Sequence, residues 1–131
     1  MLHRLDAEIG KLILRLTLGL LMLPHGIAKL FSGVDGIQGM LASAGLPEFI
    51  AWGVFVGEIV APVMLIVGWY ARWGGLIIVI NMIFAVMLAH PGDIFALNQH
   101  GAWALELQGF FLLTGVVVMF TGPGAFAINR K

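Results

Sequence analysis

The sequence predicts an all-α integral membrane protein, a bundle of four transmembrane helices with a short interfacial helix in the first outer loop. Three observations carry that prediction. Hydrophobic residues make up 60% of the chain and charged residues only 11%, where a soluble domain carries about a quarter of its residues as Asp, Glu, Lys and Arg. Mean hydropathy is +1.01, and a soluble fold of 131 residues has too much surface for its volume to hide that much apolar area. The apolar residues fall into four stretches, each approaching the roughly 20 residues a helix needs to cross the hydrocarbon core. Helix is the only open-ended element lipid tolerates, because every backbone group must be paired within the segment.

The first span runs from about Ile9 to Phe31 and is followed by Ser32-Gly33. Its apolar run is too long for a signal-peptide core and contains Arg15, His25 and Lys29, so it reads as a retained span. The connection that follows holds Ile37, Met40, Leu41 and Ala44, an i, i+3, i+4, i+7 stripe suited to a short helix at the membrane interface. Leu46-Pro47 precedes the second span, from about Phe49 to Tyr70. Only Ala71-Arg72 separates it from the third, about Trp73 to Ala89, so these two form a tight antiparallel hairpin. Pro91-Gly92 ends the third span, and a polar connection follows with Asp93, Asn98, Gln99 and His100. The fourth runs from about Ala102 to Thr121 and stops at Gly122-Pro123-Gly124. No internal repeat or low-complexity tract divides the chain, which reads as a single domain over 1–131.

Basic residues set the orientation. Arg4, Lys11, Arg72, Arg130 and Lys131 share one side, whereas the other side has Asp35, Glu48 and Asp93 with only Lys29 near its boundary. Both termini are therefore expected in the cytoplasm. Net charge is zero, which offers no basic face for nucleic acid. Cysteine is absent, which removes disulfides, thiolate nucleophiles, CxxC redox chemistry and cysteine-ligated metal sites. His25 and His90 come from neighbouring antiparallel spans, but no HxxxH or HxxE spacing supports a metal or haem site, and none is expected.

Ionisable residues inside spans are the informative ones, since each costs on the order of 2.5–3.5 kcal/mol at a helix centre and normally pairs or faces a wet cavity. At 100° per residue, Arg15, His25 and Lys29 share one sector of the first helix, together with Gly19 and Gly26, which allow another helix to approach closely. The second span contributes Glu58, followed four residues later by Pro62, which leaves the Glu58 carbonyl without its usual partner. The third contributes Asn81, and the fourth Glu106 and Gln108. A rise of about 1.5 Å per residue puts His25, Lys29, Glu58 and Glu106 in the outer half of the bundle and Arg15 apart, near the cytoplasmic side. Each also has a structural reading. Arg15 and Lys29 are close enough to helix ends to snorkel; Glu106 suits a helix N-terminus at headgroup level; His25 suits a neutral histidine bonded to a carbonyl; Glu58 suits a charge pair holding helices together; and Asn81 suits interhelical glue.

Taken as a set, these residues resemble a known family. The first span reads LRLTLGLLMLPHGIAKL with Arg15, Gly19, His25, Gly26 and Lys29; the second carries Gly57-Glu58 and a basic turn at Arg72; the fourth carries Glu106 and ends in Gly122-Pro123-Gly124. This pattern resembles the DoxX family of four-helix bacterial membrane proteins over essentially the whole chain. The resemblance implies a bacterial inner-membrane location and an association with quinone-linked redox chemistry. Related DoxD proteins are described as subunits of a thiosulfate:quinone oxidoreductase, and other members are linked to quinone or thiol stress. It nominates Arg15, His25, Lys29, Glu58 and Glu106 as functional positions. One departure stands out: members often end in G-P-G-x-x-S-L-D, whereas Gly124 is followed here by Ala125-Phe126-Ala127-Ile128-Asn129.

The favoured expectation is a membrane subunit that binds a quinone or similar small aromatic molecule. His25 or Lys29 would bond a carbonyl, and Glu58 or Glu106 would exchange protons. The chain supplies no redox centre, so electron transfer would require the quinone itself or a redox partner protein. Two alternatives use the same residues: a proton-coupled carrier or exporter working as a homo-oligomer, and a non-catalytic assembly subunit whose charges pin helices together.

Overall fold

In the computed structural model, which describes residues 2–89, 92–129 and 131, every long element is helical. Helix α1 spans Leu2–Ser32 and α2 spans Asp35–Ser43. Helix α3, Glu48–Val67, is continuous but irregular, and α4 runs Ala71–Ala89. Helix α5 is the 16-residue segment Glu106–Thr121. Among the described residues, α1, α3 and α4 are long and apolar enough to cross a membrane, and α5 is a shorter apolar helix. The only β pairing among those residues is an isolated antiparallel bridge between Leu97 and Trp103.

The irregularity of α3 follows from Pro62. That residue has no N–H to give the Glu58 carbonyl, so the α ladder cannot continue through it. The chain takes a π turn over Val56–Val60, with the Ala61 N–H reaching the Val56 carbonyl five residues back. Before it come a 3-10 turn, Glu48–Trp52, and a single α turn; after it, regular helix resumes over Ala61–Val67. Insertions of this kind are frequent at functional sites.

Two apolar cores form. The larger joins Leu18 and Met22 of α1, Ala61 and Leu65 of α3, Ala71, Ile78 and Met82 of α4, and Phe111 and Val118 of α5. Close backbone approach makes it tight: a Cβ on Gly75 would strike the Gly115 carbonyl, and one on Gly115 the Gly75 carbonyl. The smaller core lies under α2, where Val34, Leu41 and Ala51 are buried with Val54, Phe55 and Leu88 around them. The stripe read from Ile37, Met40, Leu41 and Ala44 thus has a partner within the protein through Leu41, which is fully buried, while Ala44 lies exposed just past the helix end.

Element boundaries differ from expectation in three places, the first being the start of α1 at Leu2, well ahead of Ile9. The turn between the second and third spans lies at Gly68–Tyr70, before Ala71-Arg72. Gly68 adopts left-handed φ (+75°), and the Trp69 N–H returns to the Met64 carbonyl at 2.9 Å, a helix stop that glycine favours. The fourth helix starts at Glu106 because residues up to Leu105 are held as a loop. Asn98 Oδ1 accepts the His100 and Ala102 N–H groups, Asn98 and Ala104 bond Ala102 and Ala96, and Trp103 Nε1 donates to the Ile94 carbonyl.

The C-terminal segment returns across the end of the bundle that carries the α3–α4 turn. Arg15, 2% exposed, spends its guanidinium on three backbone carbonyls: Nε on Leu65 (2.6 Å), Nη1 on Pro123 (2.6 Å) and Nη2 on Phe126 (2.7 Å). Beyond it, the Ile128 and Asn129 N–H groups bond the Val67 and Gly68 carbonyls, and the Tyr70 N–H donates to Asn129 Oδ1 at 3.0 Å. Arg72 donates to the Met119 carbonyl in the last turn of α5, where a cation also meets the favourable end of the helix dipole.

Candidate functional site

The site is built where α1, α3 and α4 meet. Gly26 of α1 lies against the Glu58 carbonyl, which Pro62 leaves without an intrahelical donor, and Gly19 lies against Pro62 and Ile66. These two glycines draw α1 onto the π turn and carry Lys29, one turn beyond Gly26, to Glu58. Lys29 Nζ donates to Glu58 Oε1 at 2.6 Å. The Glu58 side chain is 5% exposed and that of Lys29 32%, so the acid is buried and the base sits at its edge. On the other side, Gly57 leaves room for Asn81, whose side chain would collide with any Cβ there. Asn81 Nδ2 reaches Glu58 Oε2 at 3.5 Å, a long contact that leaves this oxygen with unused acceptor capacity.

These three groups line a pocket of about 470 Å³, within the range of small-molecule sites. Its other walls are apolar: Ile37, Met40 and Leu41 come from α2, Ile50, Ala51, Val54 and Val56 from α3, and Ile77, Ile80, Phe84 and Leu88 from α4. Lys29, Glu58 and Asn81 are the only polar side chains among its described lining residues. Glu58 is the last lining residue along α3, whereas on α4 Ile77 and Ile80 line the pocket on the turn side of Asn81, so the polar groups cluster around Glu58 with apolar wall on both sides of them along α4. Small residues keep the space open, notably Gly53, which lines it and where an added Cβ would meet nothing within 4 Å.

Of the sequence candidates, Lys29, Glu58 and Asn81 come together and the other three do not. His25 is exposed at the α1–α5 seam, edge-on to the buried Phe111 with ring centroids 5.7 Å apart, and it does not line the pocket. Glu106 is the exposed first residue of α5, where an acid complements the helix dipole. Arg15 is neither at the pocket nor snorkelling to lipid, because three carbonyls bury it. The helical sector shared by Arg15, His25 and Lys29 is wide enough to straddle two seams, so residues on one face of α1 meet different neighbours. His90, weighed as a partner for His25, and Arg130, counted for orientation, lie outside the described residues. The reading from spacing did not single out Gly53 or the α2 wall as parts of a binding site. The stripe at Ile37, Met40 and Leu41 was the available signal for the wall.

Comparison with known proteins places the chain in a family. A family model described as DoxX matches residues 10–91. The chain belongs to the DoxX family. The match covers most of α1 and all of α2, α3 and α4, and therefore every residue around the DoxX pocket, and it ends before α5. One curated relative, "Putative oxidoreductase CatD" of Bacillus subtilis (strain 168), is 29% identical over 122 residues, 93% of this chain and 86% of that protein. Another, named "Uncharacterized protein", from Haemophilus influenzae, is 28% identical over 121 residues, 90% of this chain and 87% of its own length. No solved structure matches the chain.

Proposed function

We propose that this DoxX protein binds a quinone or a similar small aromatic molecule in the pocket that holds Lys29, Glu58 and Asn81. In this reading it is the membrane partner of a redox enzyme or of a defence against quinone and oxidative stress. The observation that carries the reading is an apolar pocket of about 470 Å³ whose described polar lining groups, Lys29 and Asn81, gather around Glu58. That arrangement suits a molecule with a flat apolar body and a polar edge. The chain carries no thiol, so the redox couple would reside in the bound molecule or in a partner protein. A relative bearing an oxidoreductase name points the same way.

The same reading has the chain cross the bacterial inner membrane four times with both termini in the cytoplasm. Helix α5, with 16 residues, spans only about 24 Å at 1.5 Å per residue. A local thinning of the bilayer accommodates such a helix at modest cost. The basic residues of the N-terminus, Arg72 and the C-terminus then face the cytoplasm. His25 and Glu106, exposed outside the pocket, take no part in ligand binding in this proposal. A second copy of the chain or a redox partner would cover the seam on which His25 lies.

The decisive experiment is native mass spectrometry of gently extracted protein, followed by equilibrium dialysis with a short-chain quinone. A bound small aromatic molecule is expected in the wild type. Gly53→Leu, which fills the pocket from an open position, should lose it while the protein remains folded. Wild-type protein that carries only phospholipid, and takes up added quinone no better than Gly53→Leu does, overturns the proposal.

A further inference from the structure

We infer that the pocket selects ligands bearing a hydroxyl at the polar edge of the ring, the reduced or phenolic form, over those bearing a carbonyl or ether there. The inference rests on the pocket being a binding site for aromatic molecules and goes on to name which form it holds. It comes from an inventory of unused hydrogen-bonding capacity.

A carboxylate offers about four acceptor positions and no donor. Glu58 uses Oε1 for Lys29 at 2.6 Å, while among the described residues Oε2 has only the 3.5 Å contact from Asn81. The Lys29 ammonium has three protons and directs one to Glu58, with a third of its side chain exposed. The polar edge of the pocket therefore presents an under-used anionic acceptor beside a cationic donor. A hydroxyl answers both, donating to Glu58 Oε2 while accepting from Lys29 Nζ. A quinone carbonyl or an aryl ether answers only Lys29, and would set its own oxygen lone pairs against Oε2. A bare ring answers neither and leaves both groups facing apolar surface, the situation by which polar sites reject an analogue that lacks their partner.

Hydrogen bonds to charged groups contribute roughly 1.5–3 kcal/mol each, so the hydroxyl form should bind at least about tenfold tighter. Three stable probes with one ring system separate the cases: 1-naphthol, 1-methoxynaphthalene and 1,4-naphthoquinone. Dissociation constants are measured by equilibrium dialysis against detergent-solubilised protein, with Gly53→Leu correcting for uptake into the micelle. Wild-type protein is expected to favour 1-naphthol over the other two by about tenfold or more. Glu58→Gln, whose amide directs N–H groups where Oε2 stood, should bring the naphthol and ether constants within about threefold of each other. If that variant does not fold, the wild-type comparison of naphthol with its methyl ether decides alone. Equal binding of naphthol and ether in the wild type, both lost in Gly53→Leu, overturns the inference and leaves the aromatic pocket standing. Binding of none of the three, or binding indifferent to Gly53→Leu, overturns both.

Discussion

Gly26 rests directly against the backbone carbonyl of Glu58, the carbonyl that Pro62 deprives of its intrahelical donor. One proline thus has two consequences. It forces the π turn that re-aims Glu58, and it frees a carbonyl that only a residue without a side chain can approach. A Cβ at position 26 would overlap the carbonyl and Ile59. Gly26→Ala is therefore expected to destabilise the protein by about 1–3 kcal/mol and to loosen the Lys29–Glu58 contact one turn away. The matched control is Gly10→Ala on the same helix, where nothing lies within 4 Å. It should be neutral or gain up to about 1 kcal/mol from helix propensity. Thermal unfolding of both variants in the same detergent checks the contrast, and equal losses would refute the packing argument.

Lys29 and Glu58 form an ion pair whose acid end is buried. Removing one partner of a buried pair costs more than replacing both, because the survivor is left charged and alone. Lys29→Met should cost about 2 kcal/mol or more, the exposure of Lys29 reducing it from the fully buried case. Lys29→Met combined with Glu58→Leu should recover most of that loss. Ligand binding should be absent in both. A double-mutant cycle followed by chemical or thermal denaturation gives the coupling directly, and a double variant less stable than Lys29→Met would contradict it.

What was legible in the sequence follows from which interactions are local. The apolar stretches, the helix over the Ile37–Met40–Leu41 stripe and the glycine face of α1 depend on spacing within one segment, and helices form over those segments, although their ends differ from the expected ones at α1, α3 and α5. Pro62 was legible as a break at Glu58 because the missing N–H is a property of one residue. The partition of Arg15, His25 and Lys29 among neighbours was not, since a helical wheel gives a direction but not the helix that occupies it. The return of the C-terminal segment was also hidden. It depends on carbonyls of Leu65, Pro123 and Phe126 that carry no sequence signature, and on a guanidinium whose residue type alone suggests lipid phosphate as readily as buried backbone.

That clamp is testable through the difference between Arg and Lys. The guanidinium presents five donors in a fixed fork, and the geometry here uses three of its nitrogens. A Lys ammonium concentrates its donors at one point and cannot reach carbonyls on both α3 and the C-terminal segment. Arg15→Lys should keep the α1–α4 bundle but release residues 123–129, with a loss of at least about 2 kcal/mol. Hydrogen exchange should read this as faster exchange at the amides of Ile128 and Asn129, which bond the Val67 and Gly68 carbonyls. Unchanged protection there would mean the segment holds without Arg15.

Asn129 occupies the position where the family pattern G-P-G-x-x-S-L-D carries its Asp. Its Oδ1 accepts the N–H groups of Tyr70 at 3.0 Å and of Lys131 at 3.2 Å. The Tyr70 contact matters most, because Tyr70 holds a left-handed φ of +48° in the α3–α4 turn, a conformation that needs local support. Among the described residues the side chain is seen only to accept, and a carboxylate accepts as well as an amide oxygen. Asn129→Asp should therefore match or slightly exceed wild-type stability, whereas Asn129→Ala should lose about 1 kcal/mol. Both variants keep the backbone bond from Asn129 N–H to the Gly68 carbonyl, so the comparison isolates the side chain. Thermal unfolding of the pair decides the matter: an Asp variant weaker than the Ala variant would show that the amide N–H groups, not the oxygen, are what this corner requires.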